Sequence, residues 1–326
     1  MTPRDAVRLV DVAKRAGVTV STASRALARP EMVRPETRAR VEQAATELGY
    51  EPNRAARSLI TGRTGVIAII VPDLANTYFA QIARAAQAFA RARSYEVLIV
   101  DTGDDTPQRE LEIVESAARW VDGLILCAAK ARVPADRSRV PMVYVNRRAR
   151  GSHAVVLDQQ FIVEAQLGHL MELGHEHIAW IDGPKGYWAT EPRRKAAQRI
   201  AAEHPVQIVK AIAPTFEGGL ELVDELGPEI TAVAAFNDRQ AFGVVQRYLH
   251  LGRRVPEDVS VVGSDNVPGA MLLIPQLTTV HAPKGTMGRA AVSLLLDHIV
   301  DRGPVIEETV TGRLVVRAST APPPSH

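Results

Sequence analysis

From residue 65 the chain alternates short runs that are apolar throughout with longer stretches whose apolar positions recur at helical spacing. The runs are VIAIIV at 66–71, EVLIVD at 96–101, GLILCA at 123–128 and MVYVN at 142–146, then HIAWID at 177–182, QIVKAI at 207–212, AVAAFND at 232–238 and VSVVGSD at 259–265. Runs this short and this apolar predict strands buried on both faces. Helix-length segments at 78–93, 108–120, 159–173 and 238–251 separate most of them, and strand alternating with helix predicts a parallel sheet. The break between the two series near residue 158 predicts two similar sheets rather than one large one.

The first fifty residues keep a helical period only. In LVDVAKRAGVTVSTASRAL, from Leu9 to Leu27, Val12, Ala13 and Ala16 give one short helix an apolar side, and Asp11 suits its positive end. Gly17 supplies a turn and Thr19 a cap for a second helix. On that helix Ala23 and Leu27 share one face, and Ser21 and Arg25 another. This is the helix-turn-helix pattern, whose second helix enters the DNA major groove. A third helix runs from Pro35 toward Gly49, with Val41, Ala44, Ala45 and Leu48 closing a three-helix core. The segment NRAARSLIT, from Asn53 to Thr61, is too short for a stable isolated helix. It reads either as a linker or as a segment that becomes helical on DNA and wedges the minor groove.

Doubly wound sheets bind ligands at the carboxyl ends of their strands. Those ends are Pro72–Asp73, Asp101, Ala128, Asn146–Arg147, Asp182–Gly183, Asn237–Asp238 and Ser264–Asp265. Asp, Asn and Arg at these places suit a ligand dense in hydroxyl groups, although ordinary solvated loops are polar too.

Composition narrows the classes. The 326 residues are 46% hydrophobic, enough for two or three domains with buried cores. No apolar run approaches the ~20 residues of a membrane span, and the opening MTPRDAVRLVDVAKR lacks an apolar core of secretory type, so a cytoplasmic protein is expected. The single cysteine, Cys127, excludes an intramolecular disulfide and reads as a buried thiol. The net charge of +2 hides an asymmetry, since residues 1–63 hold 12 basic and 7 acidic side chains while the remainder is net acidic. A basic end on an acidic body fits a nucleic-acid-binding head. His169, His175 and His177 match no zinc spacing. GPKG at 183–186 is not a phosphate loop, and neither a Gly-x-Ser-x-Gly elbow nor a Gly-x-Gly-x-x-Gly turn after a strand occurs. No metal, cofactor or catalytic residue is therefore expected. A sugar-binding transport component or a cytosolic α/β enzyme acting on a sugar remain as rivals, but neither needs residues 1–62.

The sequence resembles the LacI/GalR-type bacterial transcription repressors along essentially its whole length. The resemblance is carried by LVDVAKRAGVTVSTASRAL, PNRAARSL, AAFNDRQAFGVV, VPEDVSVVGSDN, PQLTTV and LVVRAST in this order. It implies an all-α helix-turn-helix head at 1–52, a hinge helix at 53–62 and an α/β body at 63–326 like a two-lobed periplasmic binding protein. The first lobe would comprise about 63–158 and 282–309, the second about 159–281 and 310–326. It implies a ligand-responsive repressor that binds a palindromic double-stranded DNA operator as a homodimer, or as a tetramer. Release would follow binding of a small polar effector such as a sugar; corepression uses the same parts. For DNA it implies Thr19, Val20, Ser21, Thr22 and Arg25 in the head and Asn53, Ala56 and the wedge Leu59 in the hinge. For the effector it implies Tyr78, Phe79, Asn146, Arg147, Arg194, Asn237 and Asp265, with Trp188 and Phe216 as aromatic platforms. The chain departs from the family at Arg8 and Arg34, where threonine and serine caps are usual, each loss costing roughly 1 kcal/mol. Asn76-Thr77 replaces Asn-Pro, and Asn146 replaces an aspartate, removing a charge from the cleft.

Overall fold

The structure is a computed structural model, and it describes residues 7–28, 30–50, 62–103, 106–131, 133, 138–210, 213–301 and 303–324. The hinge expectations at Asn53, Ala56 and Leu59 lie outside the described residues. Two compact units divide the chain, one formed by residues up to Val66 with Trp120–Asp122, the other by the remainder.

The first unit holds three helices, α1 (Leu9–Ala16), α2 (Val20–Ala28) and α3 (Pro35–Leu48), with a 3-10 turn at Pro30–Met32. Its core is small-residue packing of Val12, Ala13 and Ala16 on Ala23, Ala26, Val41, Ala44 and Ala45. Alanines at the contacts let three short helices approach closely. Gly17 ends α1 with φ +64, so that the Val18 N–H can return to the Ala13 carbonyl at 3.0 Å. Arg8 makes no side-chain cap, but the Asp11 carboxylate accepts its backbone N–H at 2.9 Å. That closes the acidic half of a capping box from the other side. Arg34 likewise gives α3 no side-chain cap.

The second unit contains two six-stranded sheets. The first has the order β11-β5-β4-β3-β1-β2, from β1 (Val66–Val71), β2 (Glu96–Asp101), β3 (Gly123–Cys127), β4 (Met142–Val145), β5 (His153–Leu157) and β11 (Glu307–Val310). The second has the order β12-β10-β9-β8-β6-β7, from β6 (Ile178–Ile181), β7 (Val206–Val209), β8 (Ala232–Ala234), β9 (Ser260–Asp265), β10 (Thr278–His281) and β12 (Arg313–Val315). The expectation of two parallel sheets is refined at one edge, because β12 runs antiparallel to β10. It does so because only Thr311 and Gly312 separate it from β11 in the other sheet.

Helices α4 (Thr77–Arg91), α5 (Pro107–Ala117) and α11 (Lys284–Val300) belong with the first sheet. The second sheet carries α6 (Gln159–Glu172), α7 (Thr190–Ala201), α8 (Phe216–Asp224), α9 (Asp238–His250) and the short α10 (Gly269–Leu272). The first core joins Ile67, Ile69, Ile125, Val143 and Val145 to Ile82 and Ala86 of α4 and to Met287, Ala291 and Leu295 of α11. The second sheet is covered on both faces, by Val244, Val245 and Leu222 on one and Val163, Leu167 and Ala197 on the other. On α9, Gly243 is needed for space, since a Cβ there would sit 2.0 Å from the Phe216 carbonyl of α8. The chain passes between the sheets three times, at β5–α6, β10–α11 and β11–β12. No helix among the described residues is long and apolar enough to cross a membrane.

Candidate functional site

On α2 the side chains of Val20, Ser21 and Arg25 are exposed and Thr22 is half-buried, opposite the buried Ala23 and Ala26. Thr19 is spent on architecture, its hydroxyl oxygen accepting the Thr22 N–H at 3.2 Å. An exposed methyl surface, a hydroxyl and a guanidinium thus stand on one face at the start of a helix. They can meet a thymine methyl, a base edge and a guanine.

In the second unit a cavity of about 200 Å³ lies where strand ends of both sheets converge. From the first sheet's side come Asp73, Tyr78, Phe79, Ala128 and Asn146, and from the second Trp188, Arg193, Phe236, Asn237, Arg239 and Asp265. Of the sequence-expected effector residues, Tyr78, Phe79, Asn146, Trp188, Asn237 and Asp265 are brought together; Arg147, Arg194 and Phe216 are not.

Several wall residues hold one another. Asn146, at φ +56, donates its amide to the Tyr78 hydroxyl and accepts the Leu157 N–H at 3.1 Å. An aspartate here could not donate to the phenol oxygen, so asparagine fixes the orientation of Tyr78 by a different polarity. Burial, and secondarily the charge of Asp265, raises the Tyr78 pKa and keeps the phenol neutral. Asn237 caps α9, accepting the Gln240 N–H at 2.9 Å while donating to the Pro214 carbonyl at 3.0 Å. Asp73 accepts the Ala75 N–H and the Arg239 guanidinium, each at 2.7 Å, tying the β1 end to the start of α9.

Two lining groups keep hydrogen-bonding capacity toward the cavity among the described residues. Arg193, only 6% exposed, donates Nε to Gln159 and Nη1 to the Phe236 carbonyl, both at 2.7 Å, and stacks on the Phe236 ring. Its Nη2 makes no further hydrogen bond among the described residues. Burial lowers its pKa and the nearby Asp265 acts against that, yet a guanidinium stays charged at any ordinary pH. The Asp265 carboxylate accepts no hydrogen bond from any described residue. Its backbone stands at φ +116, with the carbonyl receiving the Lys284 ammonium. Burial raises its pKa, and Arg193 and Lys284 oppose the shift. Behind it, Asp238 is fully buried and its pKa is likewise raised by burial; it accepts Thr279 Oγ1 and the Val267 N–H.

The three expected residues that do not line the cavity are held elsewhere by local partners or solvent. Arg194 points to Asp182 at 2.6 Å and Glu191 at 3.2 Å, away from the cavity. Arg147 is buried against the backbone, donating to the Ala129 and Lys130 carbonyls. Phe216 opens α8 with its ring partly in solvent, and Phe236 supplies the aromatic wall instead. Gln159, Tyr187 and Arg239 also line the cavity, although no motif in the sequence marks them. His169 and His175 are structural: His175 bonds Thr231, Ser260 and the Ala321 carbonyl, and His169 bonds Thr320. Cys127 is buried, its thiol pushed up to about 12.

Comparison with known proteins gives a consistent answer. Residues 8–53 match the family of bacterial regulatory proteins of lacI type, and residues 167–320 match a periplasmic binding protein-like domain. The ribose operon repressor of Halalkalibacterium halodurans is 31% identical over 319 residues, covering 95% of this chain and 96% of that one. A lac repressor dimer bound to operator and the anti-inducer ONPF aligns with TM-score 0.82 at 25% identity, over 97% of this chain and all of that one. A regulator from Enterococcus faecalis with bound ribose aligns at TM-score 0.72 and 28% identity, over 79% and 99%.

Proposed function

Because this chain belongs to the lacI family of bacterial regulatory proteins, we propose that it acts in the cytoplasm as a homodimeric repressor. It leaves a near-palindromic operator when an uncharged sugar fills the cavity. The observation that carries this reading is the pairing of an unspent Arg193 Nη2 with an unspent Asp265 carboxylate inside an aromatic-lined cavity. One donates and the other accepts, which is what vicinal hydroxyls require. Among the side chains that line the cavity Arg193 is balanced by Asp265 and Arg239 by Asp73, so the wall itself presents no net charge to attract a phosphate or a sugar acid. At about 200 Å³ the cavity is below the ~300–1,000 Å³ typical of drug-sized sites and suits a single ring.

In the dimer, two α2 helices would read two half-sites, Val20 against a thymine methyl and Arg25 against guanine O6 and N7. Residues 53–62 would pack between the heads and carry Leu59 into the minor groove. Sugar binding changes the spacing of the hinges, and a coupling of ~1–3 kcal/mol suffices to release DNA. Binding without chemistry is all this cycle needs, so no catalytic group is assigned.

The test is a thermal-shift screen of neutral sugars, sugar phosphates and nucleosides on the full chain, with D-ribose as the first probe. It is followed by operator filter binding with each compound that stabilises. A neutral monosaccharide that stabilises the protein and weakens operator binding supports the reading. A phosphorylated or acidic compound as the strongest binder would overturn the charge argument, and tighter operator binding would reverse the sign.

A further inference from the structure

A second, outer groove of about 490 Å³ adjoins the sugar cavity, lined by Arg147, Arg148, Gly186, Glu191, Pro192 and Lys195. Tyr187 and Trp188 line both spaces. They are therefore the wall between an inner volume that suits one ring and an outer volume more than large enough for another.

Two cations from the first sheet's side brace the wall. Arg148, just beyond β4, lies over the Trp188 ring at 5.3 Å. Its Nε and Nη2 both reach Glu307 Oε1 of β11, at 2.8 Å each, which fixes the guanidinium plane over the indole. Lys130 lies over the Tyr187 ring at 5.2 Å. Arg148 and Glu307 are about half exposed, and ion pairs and cation–aromatic contacts open to water are weak. The wall is thus closed but movable.

We propose that Trp188 is the specificity-determining partition that limits the effector to a single ring, and that Arg148, oriented by Glu307, keeps it shut. The inference rests on the sugar reading of the cavity. Removing the indole joins the two spaces, and a neutral disaccharide then fits with one ring on Arg193 and Asp265 and the other in the outer groove. Removing the Arg148 guanidinium frees the indole to swing aside and gives the same gain in smaller measure.

Thermal shift and calorimetric titration of the full chain against D-ribose, D-glucose, D-galactose, cellobiose and maltose test this, with wild type, W188A and R148A compared. Circular dichroism melts without sugar report that each variant folds, and R148A decides if W188A does not. Wild type should bind a monosaccharide and neither disaccharide, while W188A binds a disaccharide more than about tenfold tighter than wild type does. Folded variants that gain no disaccharide affinity, in a protein that binds a monosaccharide, overturn the partition alone. So does a wild type that already binds cellobiose or maltose. If no sugar binds wild type or either variant, the sugar reading falls and the partition with it.

Discussion

Arg193 and Arg194 are neighbours on α7 with opposite fates, one bonded inside the cavity wall and the other paired with acids outside it. The sequence held the signal that separates them. Arg193 lies three and four residues before Ala196 and Ala197, which are buried, so it shares their face, while Arg194 does not. The resemblance implies Arg194 across the 184–194 loop, whereas the side chain that lines the cavity is Arg193. The consequence can be measured. R193A should weaken binding of D-ribose, or of whichever neutral sugar stabilises the protein, by ~100-fold or more through loss of a charge-assisted hydrogen bond. R194A should change it by less than about threefold. Titration calorimetry of both variants separates the two readings. A second residue predicts a pH effect. Burial lowers the His175 pKa, and its Nε2 must carry the proton donated to the Ala321 carbonyl. Its folded pKa is below its unfolded value of ~6.5, so unfolding takes up a proton as the pH falls below that value. The stability from neutral His175 is present above this window and is lost on acidification. H175Q should cost about 1–2 kcal/mol near neutral pH, and its deficit against wild type should narrow in urea melts at about pH 5.

At the scale of elements, the loop after β3 is clamped from both sides. Glu110 of α5 accepts the Lys130 and Ala131 N–H groups at 2.8 Å each, while Arg147 donates to the carbonyls of Ala129 and Lys130. The clamp sets Ala128, at φ +48, into the cavity wall and presents Lys130 to Tyr187. E110A leaves one buried and one half-buried donor without their acceptor and should lower stability by about 1–3 kcal/mol in denaturant titration. None of this was visible in the sequence, because a lone Glu on an amphipathic helix reads as solvated. Central strands such as VIAIIV and GLILC were legible because burial on both faces removes every polar residue. β11, EETV, was not, because an edge strand with exposed side chains has no apolar run to show. β5, HAVVL, and β10, TTVH, are buried yet open or close on histidine or threonine, which broke the runs.

For the whole molecule, a second copy is the occupant expected on the exposed stretch at α10, where Leu272 is 80% and Ile274 85% exposed beside Met271. Large apolar side chains bared together mark an interaction surface. I274E should shift the protein from dimer to monomer in sedimentation, weakening association by roughly 2 kcal/mol or more, while leaving the melting of the isolated body's secondary structure cooperative. The three passages of the chain between the sheets also have a consequence for synthesis. β5 is made before the chain is half complete, yet its outer neighbour in the sheet is β11, at residues 307–310. The helix α11, which covers the same sheet, also comes late in the chain. The ribosome therefore releases the helix-turn-helix head first, at ~5–20 residues per second, and the first sheet, which forms one wall of the cavity, is finished almost last. Until residues 284–310 emerge, a nascent chain can own a complete reading head without a sensor to restrain it.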